Sequence, residues 1–134
     1  MLASTMKEEP THDEREERTI RIELHCHSDL SDGYLPPEEL AERLAATGVQ
    51  IASLTDHDIT EGLERFQKAA SQKGVACVPG VEITADYEGR EIHLLAYGFD
   101  PSNGPLQAAL ETARDHGLEE IWGLCSVDAR GASR

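Results

Sequence analysis

Residues 20–33 read Ile-Arg-Ile-Glu-Leu-His-Cys-His-Ser-Asp-Leu-Ser-Asp-Gly, and the first half of this stretch has the pattern of a β-strand. Aliphatic residues alternate there with charged residues at a period of two, as in a half-buried strand. Because successive side chains of a strand point to opposite faces, we expect His25 and His27 to share one face and Cys26 to lie on the other. Together with Asp29 and Asp32, which follow within a few residues, these two imidazoles form a candidate metal-binding arrangement.

Metal-ligating residue types recur at three later points of the chain. The motif Asp56-His57-Asp58 closes a second apolar segment, Glu82 ends a third, and His93 lies within a fourth. A glutamate in an otherwise apolar strand is costly to bury unless it is paired or bound to a metal. A lone pair of histidines is weak evidence, but four such motifs in one short region indicate a common site.

Two helices are predicted between the first three strands. The first opens at Pro36 and stops at Gly48, because proline suits the first turn of a helix and glycine its end. The second ends at Gly74, with Asp58 or Thr60 as its expected N-cap. Strands that alternate with helices predict a parallel sheet with right-handed crossovers. Function gathers at the carboxyl ends of the strands in such folds, and the motifs fall there.

The pattern changes after the third strand, which is predicted over residues 75–83. Glu88-Gly89 is a turn signal, and residues 91–98 continue as a strand, so a β-hairpin is expected. From Pro105 onward, apolar residues recur at helical spacing, which predicts a further helix.

Charge and size narrow the classes of partner. The chain has 134 residues and a net charge of −14, from 26 acidic and 12 basic side chains. We therefore expect no stable nucleic-acid binding and no membrane association, because both need basic surfaces. A phosphorylated substrate remains compatible, since bound divalent metals reverse the local sign of a site.

Cysteine usage and the apolar segments predict a cytoplasmic protein. No apolar stretch approaches the ~18 residues of a membrane span, and residues 1–17 lack the apolar core of a signal peptide. Three widely spaced cysteines predict buried free thiols in a reducing compartment. They are Cys26, Cys77 and Cys125.

Composition divides the chain into three parts. Residues 1–19 are polar and highly charged, which predicts a disordered acidic tail. Residues 20–125 carry the motifs and form the predicted, partial domain. Residues 126–134 have no apolar periodicity and are expected to be an irregular tail.

In order, the motifs are His-x-His, Ser-Asp-Gly, Thr-Asp-His-Asp, Gly-Val-Glu-Ile and a later histidine. Over roughly residues 20–100, this series resembles the amino-terminal half of a PHP (polymerase and histidinol phosphatase) superfamily phosphoesterase. The resemblance implies an α/β fold, the amino-terminal part of a distorted (β/α)7 TIM-like barrel. We expect it to be truncated after about four strands, because a complete barrel typically needs ~250 residues. The closing Asp-x-His motif of the family is absent.

The resemblance also implies a site for up to three divalent metal ions. Its candidate ligands are His25, His27, Asp32, His57, Glu82 and His93. The first histidine pair and Glu82 would hold one ion, and Glu82 would bridge to a second ion at His93. Asp32 and His57 would hold the third. Imidazole and carboxylate ligands without thiolate suit manganese, zinc or iron.

The implied activity is hydrolysis of a phosphomonoester or a nucleotide or RNA phosphodiester by metal-activated water. No side-chain nucleophile is predicted. The Ser-Asp-Gly form of the motif resembles the branch of the family that acts on nucleotides and RNA ends more than the histidinol-phosphatase branch. The resemblance thus implies a phosphorylated small molecule, a nucleotide or an RNA end as substrate. Asp56 and Asp58 are interpreted as groups that support the ligands or cap the helix, and His116 as a solvent-exposed histidine.

Two other functions remain open at this point. The chain could be a non-catalytic, metal-binding or regulatory PHP remnant, or a PHP exonuclease module of a polymerase. Four strands of a barrel would also leave an unpaired edge, which predicts self-association.

Overall fold

The described part of the chain, residues 19–116 of a computed structural model, begins with strands and helices in alternation and ends with a hairpin and a helix. The elements are β1 (Ile22–Cys26), α1 (Pro37–Ala46), β2 (Ile51–Leu54), α2 (Leu63–Gln72), β3 (Ala76–Cys77), β4 (Gly80–Tyr87), β5 (Arg90–Tyr97) and α3 (Gly104–His116). The predicted α/β class is confirmed.

The first three strands form a parallel sheet in the order β1-β2-β3. Helices α1 and α2 connect these strands and pack against each other. The buried core is built from both helices and from β2, together with Val75, which directly precedes β3. Its members are Ala41, Ala52, Leu54, Leu63, Phe66, Ala70 and Val75. The apolar stripes of the two helices thus stabilise the sheet that carries the first motifs.

Helix α1 follows its predicted limits closely. Pro37 occupies its first turn, and Glu38 and Glu39 place negative charge at the positive end of the helix dipole. Gly48 follows the helix with φ of +84°, a left-handed conformation that glycine adopts without strain.

The predicted N-cap of α2 is wrong. The helix begins at Leu63, and its N-terminus has no side-chain cap. The Asp58 carboxylate instead accepts a hydrogen bond from the Thr84 amide at 2.8 Å, and Thr60 contributes only its carbonyl oxygen to the Leu63 amide. A contact distant in sequence has therefore taken the side chain that local pattern assigned to the cap.

The predicted third strand is two strands with different partners. β3 pairs in parallel with β2, whereas β4 begins at Gly80 and pairs antiparallel with β5. A side chain at Gly80 would place its Cβ 2.1 Å from Ser53 Oγ, so only glycine fits where the chain leaves the sheet. Pro79 precedes this point and donates no backbone hydrogen bond, which suits a break between strands.

The hairpin of β4 and β5 confirms the sequence prediction. Its pairing runs without interruption from Gly80–Tyr97 to Tyr87–Arg90. The two-residue turn consists of Glu88 and Gly89, whose φ values of +53° and +75° are those of a type I′ turn.

Backbone contacts join the hairpin to the carboxyl end of the parallel sheet. The Asp58 amide donates to the Glu82 carbonyl at 2.9 Å, and the Glu82 amide donates to the Asp56 carbonyl at 3.2 Å. From the other strand of the hairpin, the Tyr97 hydroxyl donates to the Leu24 carbonyl of β1 at 2.7 Å. These contacts place β4 beside the motifs that end β1 and β2.

The outer edge of β1 is partly occupied by side chains. The Leu24 carbonyl accepts the Tyr97 hydroxyl, and the His25 amide donates to the Glu23 carboxylate at 3.1 Å. Apolar side chains of the strand, including Ile22, are nevertheless exposed. Self-association through this edge stays a prediction.

Several sequence predictions concern residues outside the range 19–116. The acidic tail over residues 1–19 lies, apart from Thr19, outside the described residues, as do Cys125 and the irregular tail over residues 126–134. None of the helices between residues 19 and 116 is long and apolar enough to cross a lipid bilayer. The described strands form an open sheet and a hairpin, so the seven-stranded barrel also stays a prediction.

Candidate metal centre

Four imidazole rings surround the carboxylate of Glu82, which is only 5% exposed. Its Oε2 atom lies 2.9 Å from His25 Nε2, 3.1 Å from His27 Nε2 and 3.7 Å from His57 Nε2. Its Oε1 atom lies 2.9 Å from His93 Nδ1. The two oxygens of one carboxylate therefore face different sets of ring nitrogens.

All six residues predicted as metal ligands meet at this point. Asp32 joins Glu82 and the four histidines, because its Oδ1 atom lies 3.3 Å from His27 Nδ1 and its Oδ2 atom lies 3.5 Å from His57 Nε2. Three overlapping trios have ligand atoms within 4.8 Å of one another. They are His25, His27 and Glu82; His27, Asp32 and His57; and His57, Glu82 and His93. These trios contain the residue groupings that the family resemblance implied, and metal binding by them stays a prediction.

The donor set fits divalent metal ions. His27 Nδ1 is buried and has no hydrogen-bond partner, although the Asp32 carboxylate is 3.3 Å away. This nitrogen is therefore available to bind a metal ion. Ring centroids of neighbouring histidines lie 5.1, 4.8 and 4.9 Å apart along the series His25, His27, His57 and His93. Nitrogen and oxygen ligands without sulfur suit zinc, manganese or iron.

The electrostatics of the cluster keep Glu82 ionised. Burial by itself raises the pKa of Glu82, but hydrogen bonds with His25 and His93 and the nearby His57 ring lower it below its ordinary value. The pKa of His93 is raised, chiefly by a hydrogen bond to the Glu91 carboxylate and further by Glu82.

Asp56 fixes the loop between β1 and α1. Its buried carboxylate accepts hydrogen bonds from the Ser28 amide at 2.7 Å, the Ser28 hydroxyl at 2.6 Å and the Ser31 hydroxyl at 2.7 Å. Gly33 packs tightly in the same loop, since a Cβ there would lie 2.1 Å from the His27 carbonyl oxygen. These contacts hold Asp32 beside the histidines.

Asp58 plays the corresponding role for β4. Its φ of +54° turns the chain after β2, and its carboxylate accepts the Thr84 amide. Neither Asp56 nor Asp58 belongs to a ligand trio among residues 19–116. Both carboxylates hold backbone segments that carry candidate ligands.

Sequence reasoning missed four residues that support the cluster. They are Ser28, Ser31, Glu91 and Tyr97. Glu91 was open to prediction, because it lies two residues before His93 on a strand and so shares its face. The two serines and the tyrosine act across 25 to 73 residues of sequence, and no local pattern reports such contacts.

Two of the three cysteines are free thiols outside the cluster. Cys26 Sγ donates to the Ser53 carbonyl at 3.2 Å, on the side away from the histidines. Burial, reinforced by the negative charges of Glu23 and Asp56, raises the pKa of the Cys26 thiol to about 12. Cys77 is also free, and burial raises its pKa.

His116 is the last residue of α3, and its side chain lies outside the described part of the chain. A cavity of about 340 Å³ lies against α2 and is lined by Phe66, Cys77 and Pro101 among others. None of the six candidate ligands lines it. The cluster therefore lies outside this cavity, where β1, β2 and β4 meet.

Comparison with known proteins identifies the family. Residues 23–131 match the family model of the PHP domain. This match covers more than half of the sequence, and the chain therefore belongs to the PHP domain family.

Three relatives are informative. The chain is 40% identical over 96 residues to a 5′-3′ exoribonuclease of Haemophilus influenzae, covering 72% of this chain and 35% of the relative. It is 39% identical over 111 residues to a 3′,5′-nucleoside bisphosphate phosphatase of Chromobacterium violaceum, covering 82% and 39%. A solved structure from Bifidobacterium adolescentis, proposed to be a metal-dependent phosphoesterase, superimposes with a TM-score of 0.66 and 33% identity, covering 70% and 33%. The chain thus spans 33–39% of the length of these three proteins.

Proposed function

We propose that this chain carries the metal-binding part of a PHP-type phosphoesterase that hydrolyses phosphate esters through metal-activated water. The observation that supports this most is the arrangement around Glu82, where four imidazole nitrogens lie within 3.7 Å of one buried carboxylate. Divalent ions bound there would act as Lewis acids and lower the pKa of bound water towards ~7.

The two carboxylates, Glu82 and Asp32, would bind such ions from different sides of the cluster. Glu82 presents Oε2 to the histidines of the parallel sheet and Oε1 to His93. This geometry suits a carboxylate that binds one ion with each oxygen. The Asp32 carboxylate is largely exposed and lies against His27 and His57, so it offers a ligand on the solvent side.

The charge of the cluster also favours a metal-assisted reaction. Its members are two carboxylates, Glu82 and Asp32, and four histidines. A phosphate ester approaching these carboxylates would be repelled. Bound divalent ions would reverse the local sign, as phosphate binding requires.

We further propose that the substrate is a phosphorylated nucleotide or an RNA end. One relative is named for acting on RNA and another for acting on a nucleoside bisphosphate, and both are about 40% identical to this chain over the matched region. The free thiols of Cys26 and Cys77 favour a reducing compartment such as the cytoplasm.

A non-catalytic metal-binding role is the second candidate. Each trio offers three protein ligands, and the chain covers 35–39% of its two catalytic relatives. Each ~1.4 kcal/mol of lost transition-state stabilisation reduces a rate tenfold. We therefore expect very slow turnover by the 134-residue chain alone.

A hybrid protein distinguishes the two roles. The matched segment of the Chromobacterium phosphatase is replaced by the corresponding segment of this chain, and the relative supplies the remainder. Phosphate release is measured with manganese on a 3′,5′-bisphosphorylated nucleotide and on an aryl phosphate. We expect turnover by the hybrid, loss of it in the Glu82→Gln hybrid, and little release by this chain alone.

Circular dichroism establishes that each hybrid is folded, and manganese content establishes that the hybrid with Glu82 intact is loaded. A folded, manganese-loaded hybrid that releases no phosphate would contradict the catalytic proposal. Robust turnover by the 134-residue chain, lost in its Glu82→Gln variant, would show instead that the described cluster suffices.

A further inference from the structure

His93 is held between two carboxylates, one on each ring nitrogen. Its Nδ1 atom lies 2.9 Å from Glu82 Oε1, and its Nε2 atom lies 3.1 Å from Glu91 Oε1. Glu91 and His93 are two residues apart on β5, so their side chains leave the same face of the hairpin. Glu91 belongs to none of the candidate ligand trios found between residues 19 and 116.

The two contacts make opposite demands on a neutral imidazole, which carries a single N–H proton. Glu82 alone would favour that proton on Nδ1, because the carboxylate oxygen is a hydrogen-bond acceptor. A ring with its proton on Nδ1 has no lone pair there for a metal. The trio of His57, Glu82 and His93 therefore needs another group to hold the proton on Nε2.

We propose that Glu91 is this group, a positioning residue that keeps the His93 proton on Nε2 and leaves the Nδ1 lone pair directed toward Glu82 and a shared metal ion. The inference rests on the metal-binding function proposed above. A carboxylate that accepts the second N–H of a ligating histidine fixes the ring orientation and makes the other nitrogen a stronger ligand.

The position of Glu91 agrees with this role. Its side chain is 62% exposed, whereas the Glu82 side chain is 6% exposed, so Glu91 holds the ring from the solvent side. A surface histidine–glutamate pair alone would be worth little. Here the opposite nitrogen faces the buried Glu82, so the two contacts together restrict the rotation of the ring.

Zinc titration calorimetry tests the role on the intact chain. Glu91→Ala should weaken the affinity of the trio that contains His93 by about 10- to 100-fold. Glu91→Gln keeps an oxygen that accepts the Nε2 proton and should lose less than about tenfold. Glu88→Gln removes the same charge from the turn of the same hairpin and should leave the affinity unchanged.

Nitrogen-15 NMR of the zinc-loaded protein reads the proton position directly. The wild-type chain should show His93 with a protonated Nε2 and a ligating Nδ1. A merely structural role for Glu91 would not determine which nitrogen carries the proton. Circular dichroism of each variant separates loss of fold from loss of metal ligation. If Glu91→Ala is unfolded, Glu91→Gln serves as the test, provided that its circular dichroism spectrum matches that of the wild-type chain.

Three results would overturn the inference while leaving the metal site intact. These are equal zinc affinity in Glu91→Ala and the wild-type chain, equal losses in Glu91→Gln and Glu91→Ala, or an Nδ1 proton on His93 in the zinc-loaded protein. Failure of the wild-type chain to bind zinc or manganese would defeat the proposed function, and this inference with it.

Discussion

The parallel sheet and the hairpin contribute to the same cluster but are stabilised in different ways. Helices α1 and α2 cover one face of the sheet. Phe66 of α2 and Leu54 of β2 are almost completely buried in the core between them. In the hairpin, β4 is largely buried, whereas residues along most of β5 are exposed. The most buried of the candidate ligands, Glu82, nevertheless belongs to the hairpin.

Polar contacts at the ends of the strands explain how the hairpin is positioned. Asp56 and Asp58 exchange backbone hydrogen bonds with Glu82, and the Asp58 carboxylate holds the Thr84 amide. We conclude that apolar burial stabilises the sheet, whereas directional hydrogen bonds set the geometry of the cluster. Substitutions in the two regions should therefore have different consequences.

Removal of the central aromatic residue should have the largest effect on stability. Phe66 is 1% exposed, and Phe66→Ala should lower the free energy of unfolding by about 3–5 kcal/mol. Because the sheet carries three of the histidines, metal binding should be lost together with the fold. Urea denaturation and manganese titration measure the two effects.

The control for this variant is Tyr34→Ala, which removes an aromatic ring that is 97% exposed. It should change the free energy of unfolding by no more than about 0.5 kcal/mol. Equal destabilisation by the two substitutions would mean that the core described for the sheet is misplaced.

Loss of the Asp56 carboxylate should have an intermediate effect on stability. Asp56→Ala leaves the buried Ser28 amide without its acceptor, at a cost of about 1–3 kcal/mol, whereas the hydroxyls of Ser28 and the half-buried Ser31 can rotate toward other acceptors. The loop that carries Asp32 should then be released, so manganese affinity should fall by more than the change in stability explains.

Ser31→Ala removes only one of these three hydrogen bonds and serves as the graded control. Isothermal titration at a temperature where both variants are folded separates affinity from stability. Unchanged manganese affinity in folded Asp56→Ala would show that the loop geometry does not depend on this carboxylate.

The smallest expected effect is a dependence of stability on pH at the helix pair. A two-pronged hydrogen bond with Arg65, at 2.7 and 2.8 Å, lowers the pKa of Glu38 below its ordinary value of 4.5. The folded state therefore gains stability from ionised Glu38 above that pH and loses it as the pH falls through the lowered pKa. Exposed pairs of this kind contribute little.

Melting temperatures of the wild-type chain and Glu38→Gln should thus differ slightly at neutral pH and converge in acid. The control is Glu38→Gln made in an Arg65→Gln background, where the ion pair is absent and the difference in melting temperature at neutral pH should shrink. A difference between wild type and Glu38→Gln that grows as the pH falls would be inconsistent with the lowered pKa.

Features set by local chemistry were predictable from the sequence. Gly48 ends a helix, Glu88-Gly89 forms a hairpin turn, and strand ends bring His25 and His57 to one side of a parallel sheet. Each depends on backbone preference or on the period of a strand. The six candidate ligands could be proposed because they match, residue by residue, the series of motifs on which the PHP resemblance rests.

Features set by competition between distant groups were not predictable. Asp58 is a good helix cap by type, but the Thr84 amide, 26 residues away, holds its carboxylate. The segment around Gly80 has strand character throughout, yet its two parts pair with different strands in opposite senses. The sequence pattern contains the propensity of each segment but not the identity of its partner.

The most direct test of the account is metal binding by the intact chain and by its Glu82→Gln variant, which keeps the size of the side chain and removes its charge. Elemental analysis and manganese or zinc titration should show bound metal in the wild-type chain. Binding should be lost in Glu82→Gln and in the His25→Ala/His27→Ala double variant, while circular dichroism shows that the fold is retained. Equal and negligible metal content in all three proteins would contradict the central claim that these residues form a metal centre.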